Sequence, residues 1–164
     1  MMTNQQSTGL NKRYLFVVLA STIFLPAISI FIEWFTNQDP SISFALAGKW
    51  FIFYAVGFRL LLAGVMQIAN PSFTAKEIFH IQDTSAYAIV RELGFANVCF
   101  GLIGVISLFL PQWRIVSAFG SGLYYGIAAL NHIIKKPVGA NETLALVSDI
   151  FVFLILLIYT VMMF

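Results

Sequence analysis

Apolar residues gather along this chain in five long stretches, residues 14–35, 50–70, 87–110, 115–134 and 144–163. Each supplies the ~20 mostly apolar residues that a helix needs to cross a hydrocarbon core. There the backbone must satisfy its own hydrogen bonds, which favours helices. The breaks between stretches hold Asp39-Pro40, Asn70-Pro71, Pro111-Gln112 and Lys135-Lys136-Pro137. Proline lacks an N–H and restricts the residue before it, so each break ends a helical run. The pattern predicts an all-α fold: a single transmembrane domain over residues 1–164, built as a helical bundle with five transmembrane helices. Four of these form a core and the N-terminal helix joins them. Pro26 predicts a kink in the first helix. Lys12 and Arg13 ahead of that stretch resemble the start of a cleaved signal peptide. The stretch ends in Glu33-Trp34-Phe35 without a small-x-small site, so a retained anchor is expected.

Residues 72–86 include Lys76, Glu77, His80, Gln82 and Asp83, which makes them too polar to span. Phe73, Ile78, Phe79 and Ile81 leave two readings open, a cytoplasmic loop or a short interfacial helix.

Composition agrees with lipid as the solvent. The chain is 60% hydrophobic and 10% charged, against ~45–50% and ~25% for ordinary soluble domains. A net charge of +2 is too small to point to nucleic acid. Cys99 stands alone, so neither an internal disulfide nor a cysteine-rich metal site is available, and it reads as a small buried hydrophobe. Lys12, Arg13, Lys76, Lys135 and Lys136 fall on one side of the expected topology, with Arg91 near that edge. Lys49 and Arg114 fall on the other. Positive charge marks the cytoplasmic side, which predicts an inner-membrane protein with its N-terminus cytoplasmic and its C-terminus outside. Trp34, Trp50 and Trp113 then lie at the outer interface.

Small residues recur at the three- and four-residue spacings of packed helix seams. Gly57, Leu60, Gly64 and Gln67 share one face, Gly94, Asn97, Gly101 and Gly104 a second, and Ala118, Gly122, Tyr125, Ala129 and His132 a third. Each stripe carries a polar group toward the cytoplasmic side. The candidate cluster is therefore Arg59, Gln67, Glu92, Asn97, His132, Asn141 and Asp149. Arg59 lies deepest, and an unpaired charge there is costly, so it is expected to pair with Glu92 or Asp149. Gln67, Asn97 and His132 also suit plain interhelical hydrogen bonding. No close His pair or Glu-x-x-His spacing supports a metal, and no cofactor is predicted. P-loop, dinucleotide-binding, HExxH and nucleophile-elbow motifs are all missing, which argues against an enzyme.

Glu92-Leu93-Gly94-Phe95-Ala96-Asn97, Tyr125-Gly126, Asn131-His132-Ile133, Gly139-Ala140-Asn141 and Ser148-Asp149 resemble the pattern of a family of small bacterial membrane proteins of unknown function. The similarity covers roughly residues 51–159, and the architecture is more distantly similar to DoxX-like proteins. The resemblance implies an inner-membrane protein and marks Glu92, Asn97, His132, Asn141 and Asp149. Where that family has a Gly-His pair near the end of its second span, this chain has Met66-Gln67. Three functions follow as alternatives. The first is small-solute transport or proton relay through the inner-side cluster. The second, implied by the DoxX-like resemblance, is a redox accessory subunit binding a quinone or a partner protein. The third is a structural or assembly protein. The expected partners are the lipid bilayer and either a second copy or another membrane protein.

Overall fold

The computed structural model describes residues 9–37 and 43–164; the Asp39-Pro40 break lies outside them. Among the described residues the chain forms five long helices and no strand. They are α1 (Lys12–Asn37), α2 (Phe44–Ala69), α3 (Ala86–Phe109), α4 (Trp113–Lys135) and α5 (Ala140–Met163). The ends follow local chemistry. The Asn11 side chain accepts from the Arg13 and Tyr14 N–H groups at the start of α1, and Ser43 accepts from Leu46 N–H at the start of α2. Both satisfy donors that a helix leaves orphaned. α3 stops just before Pro111, and α4 turns out of the helix at Lys136, whose φ is 59°, ahead of Pro137.

α1 runs past Pro26 without ending. The five residues Ala20–Phe24 are wound as a π-helix instead. Proline's ring clashes with the carbonyl four residues earlier, here Thr22, and the wider turn makes room for it. A second π-helical stretch, Ile52–Phe58, lies inside α2, immediately before Arg59.

α1, α2, α3 and α5 are long and apolar enough to cross a membrane. α4 has 23 residues, ~35 Å at 1.5 Å per residue, and so matches them in length. It is less apolar because its inward face is built from Ser117, Ser121, Gly122, Tyr125 and His132, all buried. Its outward face carries Val116, Phe119, Leu123, Ile127 and Leu130. The chain is thus an all-α membrane bundle.

α2 packs most closely on α3, and α4 on α5. The first seam is made by glycine. A Cβ on Gly104 would sit 2.5 Å from the Gly57 nitrogen, and one on Gly101 2.5 Å from the Leu61 nitrogen. Between the pairs, Ile52, Val56, Leu60, Ala118, Tyr125, Val152, Leu156 and Tyr159 form the core. All three small-residue stripes face inward, with only Gln67 half-buried. Cys99 departs from expectation. It is exposed, because the buried face of α3 is set by Gly94, Asn97, Gly101 and Gly104 and Cys99 points away from it.

Residues 72–86 contain a π-helical turn, Thr74–Ile78, that buries Ala75 and Ile78. Ile81 is exposed. At the start of α3, the Asp83 carboxylate accepts from the Ser85 N–H at 2.9 Å. That bond holds the Asp83 carboxyl below its ordinary range.

Candidate functional site

The connectivity places the beginnings of α1, α3 and α5 and the ends of α2 and α4 at one end of the bundle. This end carries Lys12, Arg13, Lys76, Lys135 and Lys136, and is called the basic end below. Trp34, Trp50 and Trp113 mark the other.

At the basic end Glu142, 4% exposed, lies between two imidazoles. His132 Nδ1 is 3.2 Å from Glu142 Oε1, and His80 Nε2 is 3.1 Å from Oε2. The Val138 N–H donates to Oε2 at 3.0 Å. Three separate segments therefore converge on one carboxylate. His80 reaches it with a positive φ of 57°, a sparsely populated conformation in which His is enriched among non-glycine residues. Gly139 makes the approach possible: a Cβ there would lie 3.3 Å from His80 Cε1. Beside this group, Asn141 Oδ1 accepts from Asn11 N–H at 2.8 Å. Its Nδ2 donates to Gly9 O and Glu77 Oε2, each at 3.4 Å. Asn141 thus ties the start of α1 and the π-helical turn to α5.

The second group lies deeper. Arg59 Nη2 donates to Asp149 Oδ1 at 2.9 Å and to Ser148 Oγ at 2.7 Å. Arg59 and Asp149 are each 8% exposed. The guanidinium stands over the Tyr125 ring, 5.2 Å from its centroid, in a cation–π arrangement. The Tyr125 hydroxyl donates to Ala55 O at 2.6 Å, inside the π-helical stretch of α2. Tyr14 of α1 approaches the Arg59 guanidinium and Tyr124 of α4 approaches Asn97, and both rings lie within electrostatic reach of the charged pair.

The two groups stand on one seam. Glu142 and Asp149 are seven residues apart on α5, and Tyr125 and His132 are seven apart on α4. Seven residues make two turns, ~10.5 Å. His132 faces its own group and also acts electrostatically on Asp149. Ala129 and Ala145, both buried, occupy the interval.

Of the residues singled out from the sequence, Arg59, His132, Asn141 and Asp149 line this seam. Gln67 and Asn97 do not touch the charged pair. Asn97 Nδ2 donates to Gln67 Oε1 at 2.7 Å across the α2–α3 interface. Contrary to the expectation from the sequence, Glu92 does not join the cluster. It is exposed on the outer face of α3, since five residues along a helix from Asn97 rotate it well off the buried stripe. Arg59 accordingly pairs with Asp149. Glu142 is absent from the sequence-based set, which also gives no role to His80 and names Ser148 only beside Asp149. The signal was present for Glu142, which shares the face of Asp149 at the i, i+7 spacing but sits where the apolar stretch begins.

At the tryptophan end an open groove of about 250 Å³ is lined by Glu33, Trp34, Asn37, Lys49 and Arg114 among others. Glu33 is held there by Lys49 and accepts from Trp50 Nε1 at 2.8 Å.

The chain matches, over residues 13–164, the model of a family of unknown function, DUF6790, and belongs to that family. No curated protein and no solved structure matches it.

Proposed function

We propose that this DUF6790 protein is a small proton-relaying membrane protein of a bacterial inner membrane. Protons are taken up at the basic, cytoplasmic end by the His80–Glu142–His132 group and passed to the buried Arg59–Asp149 pair. The observation that carries this reading is the stacking of two protonatable groups, two helical turns apart, on one α4–α5 seam. Ionisable side chains inside a membrane bundle are costly and mark proton or ion pathways. Imidazole exchanges protons near neutral pH, and a carboxylate between two imidazoles can accept a proton from one ring and return it to the other. Arg59 supplies the fixed counter-charge that a buried carboxylate requires.

The test is proton flux into proteoliposomes holding a trapped pH dye, driven by a potassium-diffusion potential. Wild type is expected to acidify the lumen at least several-fold faster than protein-free liposomes. Asp149→Asn and Glu142→Gln, checked for monodispersity and helicity, are expected to fall to the protein-free rate. Wild-type flux equal to that of empty liposomes, or full flux through folded Asp149→Asn, overturns the reading.

A further inference from the structure

Five buried side-chain atoms have no partner among the described residues. Trp34 Nε1 belongs to the tryptophan end, and Asn97 Oδ1 to the α2–α3 interface, where Asn97 also meets Tyr124 of α4. The other three are Arg59 Nη1 on α2 and Ser117 Oγ and Ser121 Oγ on α4, the serines lying toward the tryptophan end from Tyr125. Ser117, Ser121 and Tyr125 follow one another at four-residue steps on α4, so they share a face. Tyr125 fixes what that face meets, because its hydroxyl donates to Ala55 O of α2 and its ring lies under Arg59. α2 and α4 both run from the tryptophan end to the basic end. Ser121 and Ser117 therefore lie one and two turns, ~6 and ~12 Å, beyond Tyr125.

The serines are unusual for their setting. A helical serine commonly donates to a carbonyl of the preceding turn. Ser21 does so to Val17 O at 2.7 Å, and Ser148 to Ala145 O at 2.9 Å. Ser117 and Ser121, 2% and 1% exposed, do not. Buried polar groups are nearly always matched, and unmatched ones on α2 and on the α4 face that Tyr125 turns toward it call for partners between the two helices. The guanidinium can only donate, while the hydroxyls donate and accept. The partner must therefore be small and able to accept from the guanidinium. It must also be neutral, because Asp149 already balances Arg59 and a further charge would be left unpaired in the bundle. Water meets all three conditions.

We propose that a file of internal water runs along the α2–α4 seam from Arg59 past Tyr125 and Ser121 to Ser117. Its use as the outward half of a proton path rests on the relay reading; its existence does not. The water connects the buried pair to the tryptophan end, completing a polar line through the bundle from His80 to Ser117.

Synchrotron hydroxyl-radical footprinting of the full chain in liposomes tests this, because radicals form from bound water and label the side chains beside it. Tyr125, although 2% exposed, is expected to be modified at least several-fold faster than Tyr159, a side chain of the same intrinsic reactivity that is 5% exposed. In the Ser117→Val/Ser121→Val variant, whose methyl groups fill the hydrated positions, Tyr125 labelling is expected to fall to the Tyr159 level. Ser121→Thr retains the hydroxyl and is expected to keep Tyr125 labelled. Tyr125 no more reactive than Tyr159 in wild type overturns the file. Unchanged labelling in a monodisperse valine variant also overturns it. If that variant does not fold, wild type and Ser121→Thr still decide. Tyr125 labelled in a protein with no proton flux supports the file and sinks the relay; flux without labelling does the reverse.

Discussion

At the scale of single residues, the Arg59–Asp149 pair is the most consequential contact. Removing one member of a buried ion pair strands the other, a loss of about 3–5 kcal/mol, whereas replacing both with apolar groups is often near neutral. Arg59→Met and Asp149→Leu are each expected to destabilise the bundle by that amount. The double variant is expected to be more stable than either, when unfolding is titrated with SDS in mixed micelles. Strictly additive losses would show that the two charges are satisfied independently. Glu142 carries a different load. Glu142→Ala removes the acceptor for the Val138 N–H and the partner of both imidazoles. It is expected to cost about 1–3 kcal/mol and to raise amide exchange at residues 74–81. His80→Ala removes a single contact and is expected to cost less. Equal exchange in the two variants would mean that Glu142 does not anchor the turn. Sequence pattern gave access to Arg59, Asp149, His132 and Asn141 because an ionisable or amide group inside an apolar run needs a partner. It hid Glu142 and His80 because both lie at span edges, where water is an equally good partner. Only the positive φ of His80 and the bare Cα of Gly139 bring them together, and neither leaves a mark in hydropathy.

At the scale of helices, glycine sets how near α2 and α3 can come. A Cβ at Gly104 would collide with the Gly57 backbone, the nearest atom 2.5 Å away, whereas one at Gly120 would find only Phe100 Cε1 at 3.6 Å. Gly104→Ala must push the helices apart and is expected to cost about 1–3 kcal/mol, the usual range for overpacking. Gly120→Ala is expected to stay within about 0.5 kcal/mol of wild type. Matched losses at the two positions, measured by the same SDS titration, would show that the seam is not close-packed. The three stripes were legible because small residues at three- and four-residue spacing have few other uses in lipid. The π-helical stretches were not. Pro26 accounts for the first, but the second, in Ile52–Phe58, has no proline or other breaker to announce it. Its effect is structural and local: it presents Ala55 O to Tyr125 just ahead of Arg59. Glu92 failed for the opposite reason. Position along α3 gives its depth, but its direction is fixed by the buried stripe of Asn97 and the glycines.

At the scale of the whole molecule, α4 decides the topology. Four helices pass on apolarity as well as length, and α4 falls short because its polar residues face inward, where the other helices cover them. Hydropathy averages over both faces of a helix and so undervalues a span whose polar side is buried. The outer face of α4 is as apolar as lipid contact demands, with Val116 63% and Ile127 67% exposed. It also packs closely along α5, from His132 against Glu142 to Gly122 against Leu156. A helix lying flat on the membrane surface cannot keep that contact while α5 crosses. On this argument we propose that α4 crosses with the four helices that qualify by apolarity, which would set Gly9 and Phe164 on opposite sides. Lys and Arg concentrate at the end where α1 begins, and the proposed orientation sets that end on the cytoplasmic side by the positive-inside tendency. In a Cys99→Ala background, single cysteines introduced at Gly9 and at Phe164 give the check in intact spheroplasts. A membrane-impermeant maleimide is expected to label the Phe164→Cys variant from outside, and the Gly9→Cys variant only after lysis. Labelling of both from the same side would mean that α4 does not cross, and the seam joining it to α5 would then have to be rebuilt.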